Sequence, residues 1–248
     1  MRVQSNRPLN QLLNRLQPAA YDRVASHLTR TALQSQQVLY RPGEPISEIY
    51  FPESSVICLM TVMENGATLE TATVGPEGAS WISAVIGAPS MPCETIVAVG
   101  GDAYLLGIRN LDREMQENQY FRDVLTKYSH ALLIHSLRMT GCTGLHSLPQ
   151  RCARWILEAA DRVGEDRFQI THSFLATLLG THRPSVSIVI EDFVARGLLR
   201  VERGRIFVHD RNALRASSCE CYEIIKENYA HFYLKLEDHH SVLPATGT

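Results

Sequence analysis

The chain has 248 residues, of which 45% are hydrophobic and 20% are charged, and its formal net charge is −2. This composition is typical of a globular protein of about two domains. It excludes a membrane-spanning protein, because no apolar run approaches the roughly 20 residues that a span requires, and the N-terminus lacks the apolar core of a signal peptide. Six scattered cysteines indicate reduced thiols, so we expect a cytoplasmic protein with no membrane partner.

The N-terminal part of the chain predicts two short helices and then an antiparallel β-domain. Leu9–Leu16 and Ala19–Leu28 have amphipathic helical patterns. From Val38 to about Ile108, short apolar runs alternate with turn sequences every 8 to 12 residues or so, as in an antiparallel sandwich or barrel. The dipeptide Asn65-Gly66 is the strongest hairpin signal in this region.

Residues 111–146 contain no proline and predict a long helix. Its apolar positions approximate a heptad seam, and such a seam in a helix of this length usually packs on a partner chain. We therefore predict a homodimer, against the alternative that the helix packs only on its own barrel. Gly141 to Gly144 indicates either a hinge or a frayed helix end. The predicted seam consists of Met115, Phe121, Leu125, Tyr128, Leu132, Ser136 and Met139.

The segment from Thr171 to Gly197 has the pattern of a helix-turn-helix. Thr171 is placed to cap a first helix that Gly180 ends. Pro184 begins a second helix, where its missing N–H costs nothing, and Gly197 ends it. The apolar residues expected to face the core from this second helix are Val186, Ile190, Phe193 and Val194.

A β-hairpin follows this motif and is typical of a wing. Residues 199–209 alternate between apolar and polar side chains around a tip at Arg203-Gly204, and Arg203 and Arg205 could reach phosphates. Positive charge is concentrated in the same region, because residues 149–215 hold 11 arginines and 8 acidic residues whereas the rest of the chain is net acidic. Phosphate contact requires such a concentration.

A helix-turn-helix with a wing is used chiefly to bind duplex DNA, with the first turn of the second helix in the major groove. The alternative is an effector-binding β-domain whose helical domain mediates protein–protein contacts, and the arginines favour DNA. We do not expect an enzyme, because no motif pairs a nucleophile with a base. The predicted DNA-binding residues are Thr171, His172, Ser173, His182, Arg183, Pro184, Ser185, Ser187, Ile188, Arg203 and Arg205.

Two further helices complete the predicted α+β organisation. Pro149 opens a helix over Gln150–Val163, and Arg211 to about Leu236 is helical again. The predicted divisions are residues 1–110 for the N-terminal helices and β-domain, 111–146 for the long helix, 147–236 for the winged helix-turn-helix domain and 237–248 for a disordered tail.

In this order of elements the chain resembles the Crp/Fnr family of transcription regulators, over nearly its whole length. The resemblance implies a jelly-roll-like, cyclic-nucleotide-binding-like sensory β-roll, a dimerisation helix and a C-terminal winged helix. It also implies a palindromic double-stranded DNA operator, a small-molecule effector and RNA polymerase as partners. The residues that carry it are the Phe174–Gly180 run, Arg183-Pro-Ser-Val186, Gly197-Leu198, Arg203-Gly-Arg205, Asp210-Arg211 and Cys219-Glu-Cys-Tyr222.

The resemblance also assigns roles in the recognition helix. Arg183 falls where the family places a base-reading arginine, which suits the O6 and N7 atoms of guanine. Ser185 falls on a phosphate-contacting hydroxyl position. Pro184 stands where many members have glutamate, and Ile188 where some have arginine. Neither can hydrogen-bond a base edge, so we expect a different operator, with Ile188 near a thymine methyl group.

The sensory domain departs from the members that bind cyclic nucleotides. Gly75-Pro-Glu77-Gly78 resembles their ribose-binding part, but no lysine or arginine occurs between Arg41 and Arg109 to hold the phosphate, and Glu94 would repel it. We expect no tight binding of cyclic AMP or cyclic GMP, and an effector that is different or absent. The predicted effector pocket consists of Gly75, Glu77, Gly78, Cys93, Glu94 and Thr95.

Metal-based sensing is not expected from the sequence, so we predict no cofactor and no metal. The first cysteine is Cys58, which argues against the N-terminal cluster of the iron–sulfur members, and no histidine lies between His27 and His130 to ligate haem. Cys219 and Cys221 would lie about 200° apart on a helix and would not share a metal. A redox role for Cys58, Cys93 or Cys142 stays open.

Overall fold

Residues 7–80 and 82–240 are described by a computed structural model, and they form the α+β architecture that the sequence predicts. Two short helices come first, α1 (Gln11–Asn14) and α2 (Pro18–Ala25). The side chain of Asn10 caps α1 by accepting a hydrogen bond from the backbone N–H of Leu13 at 3.1 Å. Among these residues, none of the helices combines the length and hydrophobicity that crossing a bilayer needs.

The β-domain consists of seven strands in two antiparallel sheets. They are β1 (Leu28–Leu33), β2 (Val38–Tyr40), β3 (Glu48–Pro52), β4 (Val56–Val62), β5 (Thr68–Val74), β6 (Glu94–Val99) and β7 (Gly101–Gly107), with a short helix α3 (Ile82–Val85) after β5. One sheet has the order β1-β7-β3 and the other β2-β6-β4-β5. This is the predicted antiparallel roll, although its strands begin at Leu28 rather than Val38 because α2 ends at Ala25.

The Asn65-Gly66 hairpin is confirmed between β4 and β5. Gly66 has a φ of +80°, a left-handed conformation that glycine adopts without a steric penalty. The side-chain oxygen of Asn65 accepts a hydrogen bond from the backbone N–H of Ala67 at 3.0 Å. The turn therefore depends on both residues that signalled it.

The predicted long helix is two helices, α4 (Ile108–Glu117) and α5 (Gln119–Leu145). Asn118 separates them, with an extended backbone (φ −119°, ψ 92°) and a side chain that accepts a hydrogen bond from the backbone N–H of Phe121 at 3.1 Å. The single helix predicted over residues 111–146 is wrong at this point, because an Asn side chain can cap a new helix. Helix α5 continues unbroken through Gly141 and Gly144.

The C-terminal part of the chain is helical around one small sheet. Its elements are α6 (Leu148–Val163), β8 (Arg167–Gln169), α7 (His172–Leu178), α8 (Arg183–Ala195), β9 (Leu199–Glu202), β10 (Arg205–Val208), α9 (Arg211–Ser217) and α10 (Cys221–His240). The strands pair antiparallel in the order β8-β10-β9. Residues 237–240, predicted as disordered, continue α10, and residues 241–248 lie outside the described residues.

The predicted dimer seam on the long helix is buried inside the chain. Phe121, Leu125 and Tyr128 are at most 1% exposed, and they belong to a cluster that includes the β-domain and α10. Leu132 and Met139 are also buried. The seam prediction was therefore wrong, and the periodicity of these residues reflects packing on the chain's own β-domain and C-terminal helix.

The β-domain and the winged domain share a hydrophobic core. Cys58 and Met60 of β4 belong to the same buried cluster as Trp155 and Ile156 of α6. The indole N–H of Trp155 donates to Glu70 Oε2 at 2.6 Å across this boundary. The winged domain is thus held on the β-domain by buried apolar and polar contacts together.

Candidate nucleic-acid interface

The helix-turn-helix consists of α7 and α8, and the local signals in its sequence are confirmed. The Thr171 hydroxyl oxygen accepts a hydrogen bond from the backbone N–H of Phe174 at 3.1 Å and caps α7. Gly180 has a φ of +61° and forms the turn. Pro184 lies in the first turn of α8, where no backbone donor is needed.

One face of α8 packs into the core of the winged domain. Val186, Ile190 and Phe193 are at most 1% exposed, and Val189 is buried beside them. Val194, which the sequence predicts to face the core, is 41% exposed instead. The buried positions follow the spacing i, i+3, i+4 and i+7, so the buried stripe is rotated from Val194 toward Val189 relative to the predicted one.

The opposite face of α8 is open at its N-terminal end. His182, Arg183 and Pro184 are exposed, and the side chain of Ile188 is 68% exposed. An exposed isoleucine on a helix whose other face is buried is available for contact with an apolar group. The first turn is therefore presented to solvent, as insertion into a groove requires.

The remaining predicted contacts from the two helices lie around this turn. His172 Nδ1 lies 3.0 Å from Ser187 Oγ, and this hydrogen bond ties the start of α7 to α8. Ser173 is exposed on α7, and Ser185 is half-buried in the first turn of α8. The structure thus brings the predicted residues of both helices to one side of the domain.

The wing is a three-stranded sheet rather than the predicted hairpin alone. Arg203 (φ +47°) and Gly204 (φ +78°) form the tight turn between β9 and β10, and the side chains of Arg203 and Arg205 are exposed. The strand β8 pairs with β10. This strand was not predicted from the sequence, because it has only three residues, of which only Phe168 is buried, and so shows no alternating pattern.

Ion pairing distinguishes the arginines that are available to DNA. Seven of the 11 arginines between residues 149 and 215 pair with carboxylates, namely Arg154, Arg162, Arg167, Arg196, Arg200, Arg211 and Arg215. Across residues 7–80 and 82–240, Arg183, Arg203 and Arg205 have no carboxylate oxygen within 4.0 Å. Arg151, the eleventh, is half-buried on α6 and donates to the carbonyl oxygen of Leu179 at 2.9 Å. The exposed arginines without a carboxylate partner among the described residues therefore lie on the recognition helix and the wing tip.

The Gly75–Gly78 turn of the predicted effector pocket is packed against helices. Glu77 Oε1 accepts hydrogen bonds from Arg162 Nε at 2.8 Å and from the Gly75 N–H at 3.2 Å. A Cβ at Gly75 would lie 2.5 Å from Arg162 Cγ, and one at Gly78 would lie 1.8 Å from the Tyr128 hydroxyl. The two glycines are thus required by the close approach of α6 and α5.

The other half of the predicted pocket lies elsewhere in the β-domain. Glu94 and Thr95 begin β6 and pair with Met60 and Leu59 of β4, with Cys93 just before them. A cavity of about 570 Å³ adjoins Glu77 between α1, α6 and α10. Cys93, Glu94 and Thr95 are not among the described residues that line it. Of the six predicted effector residues, only Glu77 is among the described residues that line this cavity.

A buried chain of charges connects α6 to the Glu77 turn. Arg154 Nη1 and Arg162 Nη1 donate to the two oxygens of Glu158 at 2.8 and 2.9 Å, and Arg162 Nε reaches Glu77. Burial alone would raise the pKa of Glu158, but the two guanidinium groups lower it to about 2. The carboxylate is therefore ionised and paired at neutral pH.

His135 is fully buried between α5 and α10. Its Nδ1 lies 3.1 Å from the hydroxyl of Tyr229, and the two rings meet edge to face. Burial, together with the nearby Arg162 and Arg154, lowers the pKa of His135 to about 3 against the opposing effect of Glu158. The imidazole is therefore neutral across the physiological range.

Four possible metal ligands meet where α5 ends and α10 begins. The donor atoms of Cys142, His146, Cys219 and Cys221 all lie within 4.8 Å of one another. The premise that Cys219 and Cys221 lie about 200° apart on one helix was wrong, because Cys219 precedes α10 and does not follow helical geometry. The sequence signal for this group is the i, i+4 spacing of Cys142 and His146, which places two possible ligands on one side of a helix, and it was not used in the sequence prediction.

A β-roll joined through a long helix to a winged helix-turn-helix with unpaired arginines defines a sensory DNA-binding protein. Residues 150–217 match the family described as the Crp-like helix-turn-helix domain. No curated protein matches this sequence. The chain thus contains the DNA-binding domain of the Crp/Fnr-type transcription regulators, a class of regulators and not of enzymes.

Solved structures show that the whole fold is shared with this family. FixK2 from Bradyrhizobium japonicum is 15% identical with a TM-score of 0.66, and the alignment covers 77% of this chain and 98% of that one. A CRP-family transcriptional regulator from Thermus thermophilus is 18% identical with a TM-score of 0.62 and coverages of 77% and 96%. The c-di-GMP responsive regulator CLP from Xanthomonas campestris is 14% identical with a TM-score of 0.62 and coverages of 78% and 99%. The chain has the Crp/Fnr fold.

Proposed function

We propose that this chain is a dimeric, cytoplasmic, sequence-specific transcription regulator that inserts the first turn of α8 into the major groove of DNA. The observation that carries the proposal is that the exposed arginines of the described winged domain that lack a carboxylate partner, Arg183, Arg203 and Arg205, lie on its recognition helix and wing tip. Two copies related by a two-fold axis would bind a palindrome with half-sites about one helical turn apart. The family resemblance adds RNA polymerase as a candidate partner.

Within each half-site the exposed side chains divide into base-reading and phosphate-contacting groups. Arg183 presents the two-pronged donor that suits guanine, and Ile188 presents an apolar surface for a thymine methyl group. Ser185, Arg203 and Arg205 suit phosphate oxygens, which position the protein without reading sequence. The base-reading residues should therefore determine affinity for the operator, and the phosphate-contacting residues should determine affinity for any duplex DNA.

Replacing Arg183 with alanine should weaken binding to the selected operator by about 1–3 kcal/mol, roughly 5-fold to 150-fold, with much less effect on random duplex DNA. Fluorescence anisotropy on both duplexes measures this. Arg203→Ala should instead weaken both duplexes alike and reduce the salt dependence by about one charge. Arg196→Ala, at the far end of α8 and paired with Asp192, is the matched control and should change neither. Equal operator affinity in Arg183→Ala and the parent would contradict the groove assignment.

The dimer interface that we propose is a second stripe on α5, distinct from the buried seam. Leu133 and Leu137 are 56% and 64% exposed, and His130, Thr140 and Gly144 continue the stripe at heptad spacing. A Cβ at Gly144 would meet no atom within 4 Å in its own chain, so nothing inside the chain requires glycine there. An exposed apolar stripe with a small residue at its end suits a second copy of the same helix.

Replacing Leu137 with glutamate should convert the dimer to a monomer at micromolar concentration, because it places two charges opposite each other across the two-fold axis. Sedimentation velocity of the purified protein measures the result. Gln116→Glu, an exposed change on α4, should leave the dimer intact. A Leu137→Glu protein that still sediments as the parental dimer would show that the interface lies elsewhere.

We further propose that the β-roll senses a ligand other than a cyclic nucleotide, or none. Glu77, at the family's ribose-binding position, is already paired with Arg162, and the sequence has no lysine or arginine between Arg41 and Arg109 to hold a phosphate. The cavity beside Glu77 is lined by side chains of α6 and α10 as well, so a ligand there would contact the DNA-binding domain directly.

A further inference from the structure

The residues Cys142, His146, Cys219 and Cys221 form a cluster, which we name the Cys3His cluster, outside the DNA-binding surface and the effector cavity. Cys142 and His146 are one turn apart at the end of α5. Cys219 lies between α9 and α10, and Cys221 is the first residue of α10. We propose that this cluster is a structural zinc site that fastens the C-terminal helix to the end of the long helix.

The spacing of the donor atoms fits a tetrahedral ion. Zinc bonds sulfur at about 2.3 Å and imidazole nitrogen at about 2.0 Å, so the edges of a tetrahedral Cys3His site are roughly 3.5–3.8 Å long. Cys142 Sγ lies 3.6 Å from Cys219 Sγ, and Cys221 Sγ lies 3.7 Å from His146 Nδ1. All four donors lie within 4.8 Å of one another, so a central ion needs little movement of the side chains.

The histidine is oriented for ligation by a carboxylate. His146 Nε2 lies 3.2 Å from Glu220 Oε2, so a proton on Nε2 would face this carboxylate and leave Nδ1, which lies near the Cys221 sulfur, free to bind a metal. Metal-bound histidines usually have such a partner on the other ring nitrogen. This contact is an observation independent of the donor spacing, and it favours a ligand role over the ordinary packing of a histidine.

The burial of the cluster indicates a structural rather than a catalytic or transport site. Cys142, Cys219 and Cys221 are at most 3% exposed, and the side chain of His146 is 16% exposed. Four protein donors leave no open coordination position for substrate. Thiolate and imidazole donors in a tetrahedral arrangement select zinc over magnesium or calcium. An iron–sulfur cluster, whose ligands bind different iron atoms, needs more widely separated donors.

The cluster lies at the junction between the long helix α5 and the C-terminal helices α6 and α10. It lies beside Ser147, which caps α6 and so begins the DNA-binding domain. A bound ion would fix the start of α10 on the end of α5, the same two helices that pack through His135 and Tyr229. Zinc would thus stabilise the junction between the sensory half and the DNA-binding half.

Metal analysis of the purified full chain, kept reduced, tests the proposal. We expect one zinc ion per chain and, after exchange with cobalt, the intense visible absorption of a tetrahedral thiolate site with thiolate-to-cobalt charge transfer. Cys221→Ser should abolish stoichiometric binding, and Glu220→Gln should weaken it about 10-fold to 100-fold. Cys152→Ser, a buried cysteine outside the cluster, is the matched control and should bind as the parent does.

His146→Cys keeps the proposal testable if Cys221→Ser fails to fold. A fourth thiolate should retain the metal and change the cobalt spectrum. If His146 only packed beside the site, its replacement would leave the cobalt spectrum unchanged. Parental protein that binds zinc more weakly than micromolar would overturn the proposal. So would a Cys142–Cys219 disulfide found by mass spectrometry in protein as purified, with no metal taken up after reduction.

Discussion

Replacing Arg162 with methionine should lower the free energy of unfolding by about 3–5 kcal/mol, because the change leaves the Glu77 carboxylate without a charged partner and leaves Glu158 with only Arg154. Arg162 is the only residue among those described that pairs with Glu77, and it also pairs with Glu158. Methionine fills a similar volume, so the expected loss of stability comes from the missing ion pairs and not from a cavity. Urea unfolding followed by circular dichroism and by tryptophan fluorescence measures the effect.

Two further variants separate this buried pair from surface effects. Arg167→Met removes an exposed pair with Glu165 and should cost about 0–1 kcal/mol. Adding Glu77→Gln to Arg162→Met should recover part of the loss, since the uncompensated charge at Glu77 is gone. A loss below about 1 kcal/mol in Arg162→Met would show that α6 is not docked on the Glu77 turn in solution.

The second large effect is on the pH dependence of stability, through His135. Its pKa is about 3 in the folded chain and about 6.5 when unfolded, so the unfolded state binds more protons between these values. The contribution of His135 to the free energy of unfolding is therefore fully present above about pH 6.5, and it decreases as the pH falls below that value. Between pH 6.5 and 4.5 the loss should be about 2–3 kcal/mol.

His135→Gln should flatten this part of the profile, because glutamine cannot be protonated in the unfolded chain. The quantity to compare is the slope of the unfolding free energy against pH, which does not depend on how much stability the substitution itself costs. His231→Gln, an exposed change on α10 outside the proposed dimer interface, should keep the parental slope. An unchanged slope in His135→Gln would mean that this imidazole is protonated or solvated in the folded protein.

The winged domain could be predicted closely because its signals are local. Thr171, Gly180 and Pro184 act through hydrogen bonds and backbone angles within a few residues of themselves, and the turn at Arg203-Gly204 does the same. The antiparallel β-roll was predicted for the same reason, from turn residues such as Asn65-Gly66.

Features that depend on distant parts of the chain could not be predicted. The apolar seam of α5 looked identical whether its partner was a second chain or α10, and the buried Tyr128 and Phe232 show that it is α10. Arg162 meets Glu77 across 85 residues of sequence. Cys142 and Cys219 are 77 residues apart, so no spacing rule joined them into one cluster.

The most direct test of the central claim is selection of bound duplexes from a random-sequence DNA library by the purified, unliganded chain. A palindromic motif should be enriched, with half-site centres about 10 base pairs apart, and Arg183→Ala should lose its enrichment. Binding with no enriched motif, or a motif that the Arg183→Ala protein enriches equally well, would contradict a dimeric regulator that reads DNA through α8.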